Sequence, residues 1–115
     1  MIGLKRAYQP AAAGDGRRVL VERLWPRGVS RARLRLDGWA KDVAPSPGLR
    51  RWFGHEPGKW PEFRRRYFAE LRANAAAWQP LLAAARRGRI TFIYAARDEA
   101  RNGAVALKAF LDRRL

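Results

Sequence analysis

The 115-residue chain has no cysteine and a single histidine, His55. Without thiols there can be no disulfide scaffold, thiol nucleophile or Cys-ligated zinc or iron–sulfur site. One imidazole excludes a His-rich metal centre and argues against a Ser-His-Asp triad. Acids are scarce too: 10 Asp and Glu stand against 25 Lys and Arg, a formal net charge of +15. No uncharged apolar run approaches the ~20 residues that a membrane-spanning helix needs. The start, Met1-Ile2-Gly3-Leu4-Lys5-Arg6, is not followed by the apolar core of a signal peptide. These absences lead to the expectation of a cytoplasmic protein with no membrane partner.

What is present suffices for a core: 48% of the residues are hydrophobic and 11% aromatic. The length suits one domain spanning 1–115 and leaves no room for a second core. The basic excess is nearly all arginine, 21 Arg against 4 Lys, and alanine is equally abundant at 21. A GC-rich coding sequence would produce the same bias. Arginine is also a planar five-donor fork suited to phosphates and carboxylates. So dense a charge creates a positive potential over much of the surface. Two partner classes therefore stay open, an anionic small molecule and nucleic acid, the latter binding less as salt rises. Neither a cofactor nor an oligomeric state is specified.

Along the chain, Ile2, Leu4 and Arg6 alternate as a strand does. Asp15-Gly16 is a turn dipeptide leading into Arg18–Trp25, the clearest strand, with a continuous apolar, β-branched centre. Pro26-Arg27-Gly28 ends it. A short helix is expected between Ser30 and Val43, and a further short strand could hide in the helical region. Ser46-Pro47 reads as an N-cap and first helical residue of a helix stopping at Gly54. Phe63, Tyr67, Phe68 and Leu71 recur at helical spacing from about Pro61. Asn74 and Pro80 suggest a break before Leu81, and Gly88 a helix end. Arg89–Ala96 is a second buried strand, followed by an amphipathic helix over 104–115. Strands joined by long helical crossovers pair in parallel. The expected fold is a small α/β sandwich: a short, mainly parallel sheet of three to four strands covered by helices.

In open α/β sheets ligands bind beyond the carboxyl ends of the strands. Arginine occurs at each such end: Arg6 after the first strand, Arg23 and Arg27 after the second, Arg97 after the third. In a parallel sheet they converge on one rim. Grouped guanidinium ions repel unless negative charge lies between them. Either Asp15, Glu22, Asp98 and Glu99 neutralise the rim, or the rim is an anion pocket. On the second reading Arg6, Arg23, Arg27 and Arg97 hold the anion, Arg23 and Asp98 are the catalytic candidates with Asp98 as base or metal ligand, and Trp25 lines the pocket. Ser30 is a candidate ligand or nucleophile, although capping the next helix explains it equally. Asp98-Glu99 could bind Mg²⁺, yet adjacent acids ahead of a basic helix are also ordinary helix-start charges, so no metal is assigned. Arg64-Arg65-Arg66 and Arg86-Arg87 offer the alternative, a non-catalytic nucleic-acid-binding module using basic helix faces.

Four strings resemble the YeaO-like proteins, a bacterial group filed as domain of unknown function 488: Val19–Ser30, Trp39–Ser46, Leu49–His55 and Tyr94–Glu99. The most specific is Leu24-Trp25-Pro26-Arg27-Gly28-Val29-Ser30. The resemblance spans nearly the whole chain and implies no established reaction. Glu22, Arg23, Pro26 and Ser30 match the family pattern after this strand, with Glu22 where relatives usually carry Asp. Where the family tends to have His-Asn-His after the third strand, this chain has Arg101-Asn102-Gly103, so only Asn102 carries over as a site residue. A methyltransferase role sometimes attached to members gains nothing here, because no Gly-rich nucleotide loop follows a strand.

Overall fold

The β-branched and aromatic segments form the strands, as residues that fit a half-buried pleated surface should. In the computed structural model, which describes residues 1–115, these are β1 (Ile2–Arg6), β2 (Arg17–Leu20), β3 (Gly38–Trp39) and β4 (Ile90–Tyr94). The helices are α1 (Arg31–Leu34), α2 (Pro47–Phe53), α3 (Trp60–Arg72), α4 (Ala75–Arg87) and α5 (Gly103–Asp112). The sheet is wholly parallel in the order β1-β4-β2-β3. The α/β class and short parallel sheet are as expected, and β3 is the small extra strand in the helical region.

Successive residues of a strand face opposite sides of the sheet, and here the two sides bury different cores. Ile2, Val19, Ile90, Phe92 and Tyr94 join a large core with Phe53, Phe63, Tyr67, Leu71, Trp78, Leu107 and Phe110 of α2–α5. Leu20 and Ile93 face the other way and meet Ala7, Val29 and Leu34 in a small second core. The helical cover is therefore unequal: α2–α5 carry one face, while the single turn of α1 and its flanking loops carry the other. That lesser face also holds a buried ionic cluster. Asp15 accepts from Lys5 Nζ at 2.9 Å and from Arg18 Nη1 at 2.6 Å, and Arg18 donates twice to the Leu34 carbonyl.

Two boundaries differ from expectation. β2 stops at Leu20 rather than continuing to Trp25. Val21 still donates to Ile93 O at 3.2 Å. One residue later the Glu22 side chain, not its backbone, takes the Ala95 N–H, so the ladder has nothing left to pair with. Pro80 lies inside α4 rather than breaking it, and the break falls at Asn74. Glycine is required at position 16: its φ is +62°, and an added Cβ would sit 2.3 Å from Arg89 O.

Candidate functional site

Parallel pairing places every strand's carboxyl end on one side of the sheet. After β2 the chain leaves toward β3 at one edge. After β4 it leaves into α5, which packs over β1 and β4 on the other side. The crevice between β2 and β4 is therefore a topological switch point, where open α/β sheets bind ligands. A cleft of about 800 Å³ opens there, within the size range of ligand pockets. Its walls are the β2 exit (21–27), one side of α2 with His55 beyond it, and the β4–α5 connection (95–103).

Of the residues picked from sequence, the structure brings six to the cleft wall: Arg23, Trp25, Arg27, Arg97, Asp98 and Asn102. Two do not line it. Arg6 lies on edge strand β1, where its guanidinium donates to Ala95 O and Ala96 O at 3.1 and 2.9 Å and stacks on Tyr8. It braces the β4 exit from behind. Ser30 is exposed and accepts from Arg33 N at 3.1 Å as the N-cap of α1. Arg50, Arg51 and Arg101 also reach the cleft and were missed from sequence, as was the weight of Glu22 and His55. The signal for four of the five lay in the family strings, in Glu22 itself and in Arg50, Arg51 and His55 of the Leu49–His55 string.

Each polar residue of the wall is in a definite state. Asp98 accepts from the backbone of Ala100 at 3.0 Å and of Arg101 at 3.1 Å, and from Arg101 Nη1 at 3.3 Å. The Ala100 N–H leads the interactions that hold its carboxyl below the usual range. Asp98 therefore builds the turn and is a poor base. Asn102 joins it, donating to Asp98 O at 2.9 Å and capping α5 by accepting from Val105 N at 2.9 Å. Trp25 is fixed by donating to Val29 O at 2.6 Å and by its edge contact with Trp39. Glu22 is half-buried and has one anchored oxygen, with Oε1 accepting from Ala95 N at 2.8 Å. Burial pushes its pKa up, outweighing the Ala95 N–H, Arg50 and His55, which favour the ionised form. His55 has a left-handed backbone, φ +58°, a conformation few non-glycine residues adopt.

The charge balance of the wall is one-sided: six arginines and His55 against Glu22 and Asp98. Among those six only Arg101 has an ion pair, with Asp98. Arg23 Nε is shielded from solvent and has no hydrogen-bond partner. Nowhere in the chain do three or more His, Asp or Glu side chains gather as a metal site would need, and no helix is long and apolar enough to cross a membrane.

A family model described as the inactive DUF488-N3 subclade matches residues 1–115. The chain is 39% identical over 110 residues to the uncharacterized protein YeaO of Escherichia coli (strain K12), covering 96% of each chain. It is also 39% identical over 113 residues to an uncharacterized protein of Mycobacterium tuberculosis (strain ATCC 25618 / H37Rv), covering 98% of this chain and 95% of that one. An uncharacterized protein of Mycobacterium bovis matches to the same extent. No solved structure matches significantly.

Proposed function

The chain belongs to the DUF488 family, in its inactive N3 subclade, and from that premise we propose that the cleft binds a small phosphate-bearing or otherwise anionic ligand and holds it without turnover. The observation that carries this reading is Arg23, whose Nε is cut off from water with no acceptor in a wall of mostly unpaired arginines. A buried donor left unmade costs roughly 1–3 kcal/mol, more when charged. Neighbouring guanidinium ions add repulsion. An anion entering the cleft relieves both at once. The subclade's description as inactive supports binding over catalysis, and so does the state of Asp98, whose carboxylate is already occupied.

The helix-face alternative has less behind it. Arg65 and Arg66 both pair with Glu62, at 2.6 and 2.7 Å. Arg64 lies over Trp60 and Phe68, and Arg66 over Trp52. Each member of the triple thus has a local partner, whereas five of the cleft arginines have no ion pair.

Calorimetric titration with inorganic phosphate and with ribose 5-phosphate, at physiological salt, tests the reading. Saturable binding is expected, with Arg23→Gln weakening it about tenfold or more, as for a lost hydrogen bond between charged groups. Arg64→Gln, which alters net charge equally but lies outside the cleft, leaves it unchanged. No saturation, or equal weakening by both substitutions, overturns the proposal.

A further inference from the structure

The cleft is electrostatically divided. Arginines dominate its wall, yet a carboxylate, Glu22, is built into it at the end of β2. That residue is held from two directions: Ala95 N donates to Oε1 at 2.8 Å, and Trp39 Nε1 donates to the Glu22 carbonyl at 2.7 Å. It forms no ion pair within 4.0 Å, although Arg23, Arg50 and Arg51 line the same cleft. A carboxylate accepts at about four lone-pair positions, so one bond to Ala95 leaves most of this capacity unused at the cleft wall. A purely anionic ligand leaves such a group unused.

Three constraints define what would satisfy it. The group opposite Glu22 must donate hydrogen bonds. It is not an ammonium, which would meet the surrounding guanidinium groups at a Coulombic penalty. It must also suit the non-polar part of the wall, which Val21, Trp25, Ala44, Phe53 and Ala96 provide. Trp25, locked in place by its bond to Val29 O, its edge contact with Trp39 and the Arg31 guanidinium over its ring, gives the wall a rigid aromatic surface of the kind that suits a planar base. A neutral, planar head with adjacent N–H donors, joined to an anionic tail, meets all three.

Among nucleobases this pattern is guanine's. Its Watson–Crick edge offers N1–H and N2–H side by side, a match for a carboxylate's two oxygens. Adenine and cytosine set a lone pair beside their amino group, and uracil flanks its N–H with two carbonyls. From this, and resting on the anion-binding reading above, we infer that the ligand is a free guanine mononucleotide, with Glu22 reading the base edge and Arg23 and its neighbours holding the phosphate. A cleft of about 800 Å³ accommodates a molecule of that size.

Competitive calorimetry with GMP, IMP, AMP and ribose 5-phosphate on the wild-type chain is the primary test and depends on no variant. GMP is expected to bind about tenfold or more tightly than AMP. IMP, which lacks the N2 amino group, falls between them. Glu22→Gln, checked for folding by its circular dichroism and melting midpoint, should reduce GMP to the level of AMP, because its amide then points a donor at a donor edge. If ribose 5-phosphate binds and GMP gains nothing over AMP, the base assignment is overturned while the anion site stands. If none of the four saturates, the anion reading itself fails.

Discussion

Asp15 lies between Lys5 and Arg18 on the lesser face of the sheet, only 7% exposed, and its second oxygen also accepts from Ala12 N. Burial alone would raise its pKa, but the Lys5, Ala12 and Arg18 interactions together outweigh it and bring the pKa from 3.8 to about 2. The sign of the pH effect follows. Between those two values the unfolded chain binds the proton and the folded one does not, so stability rises with pH there. The contribution is complete above about pH 4 and is lost as pH falls toward 2. Urea midpoints measured from pH 6 to pH 2 should show this decline, and Asp15→Asn should flatten it. At neutral pH the same substitution strands the buried Arg18 charge and should cost about 3 kcal/mol. A variant as stable as the parent, with an unchanged acid limb, would show that the cluster contributes nothing. Glu22 and Asp98 make the complementary point: two acids of one cleft differ in use because one already has three donors and the other has one.

Helix α4 continues through Pro80, although proline lacks an N–H and its ring presses on the carbonyl one turn back. Its apolar residues explain why the helix persists. Trp78, Leu81, Leu82 and Ala85 are buried, and Trp78 Nε1 donates to Leu71 O at 2.7 Å, so packing overrides one poor position. Pro80 itself is exposed. Pro80→Ala should restore the missing bond and raise stability by about 1–3 kcal/mol, read as a higher melting midpoint; a lower midpoint would mean that the rigidity proline gives the unfolded chain outweighs that bond. Sequence signals thus placed the end of α4 at Gly88 but split the helix at Pro80, because they could not rank the proline against the burial around it. The same limit applies to β2. Its apolar run continues to Trp25, but a strand lasts only while a neighbour pairs with it, and that neighbour is remote in sequence. The arginines of the β2 and β4 exits were legible because parallel topology alone brings those ends together. Arg50 and Arg51 were not, because their position depends on how α2 is docked, and Arg6 was placed in the rim because nothing local shows its guanidinium turning to the carbonyls of 95 and 96.

At the scale of the whole molecule, net charge and binding site are separate questions. A formal +15 on 115 residues attracts any polyanion. Part of that charge is nonetheless laid over aromatic surface, as with Arg114, which stacks on Phe110 at 3.6 Å and lies near Trp78. Binding to double-stranded DNA at low salt is therefore expected, without sequence preference, and falling steeply as salt rises. Replacing Arg64, Arg65 and Arg66 together by Gln should lower the log–log salt slope by roughly 0.9 for each phosphate that is no longer neutralised. It should leave phosphate binding in the cleft intact. Arg23→Gln should do the reverse, weakening the small anion while barely moving the DNA slope. If instead both sets of substitutions changed both measurements in parallel, the cleft would be one more part of a diffuse positive surface, and the unpaired Arg23 would have no ligand of its own.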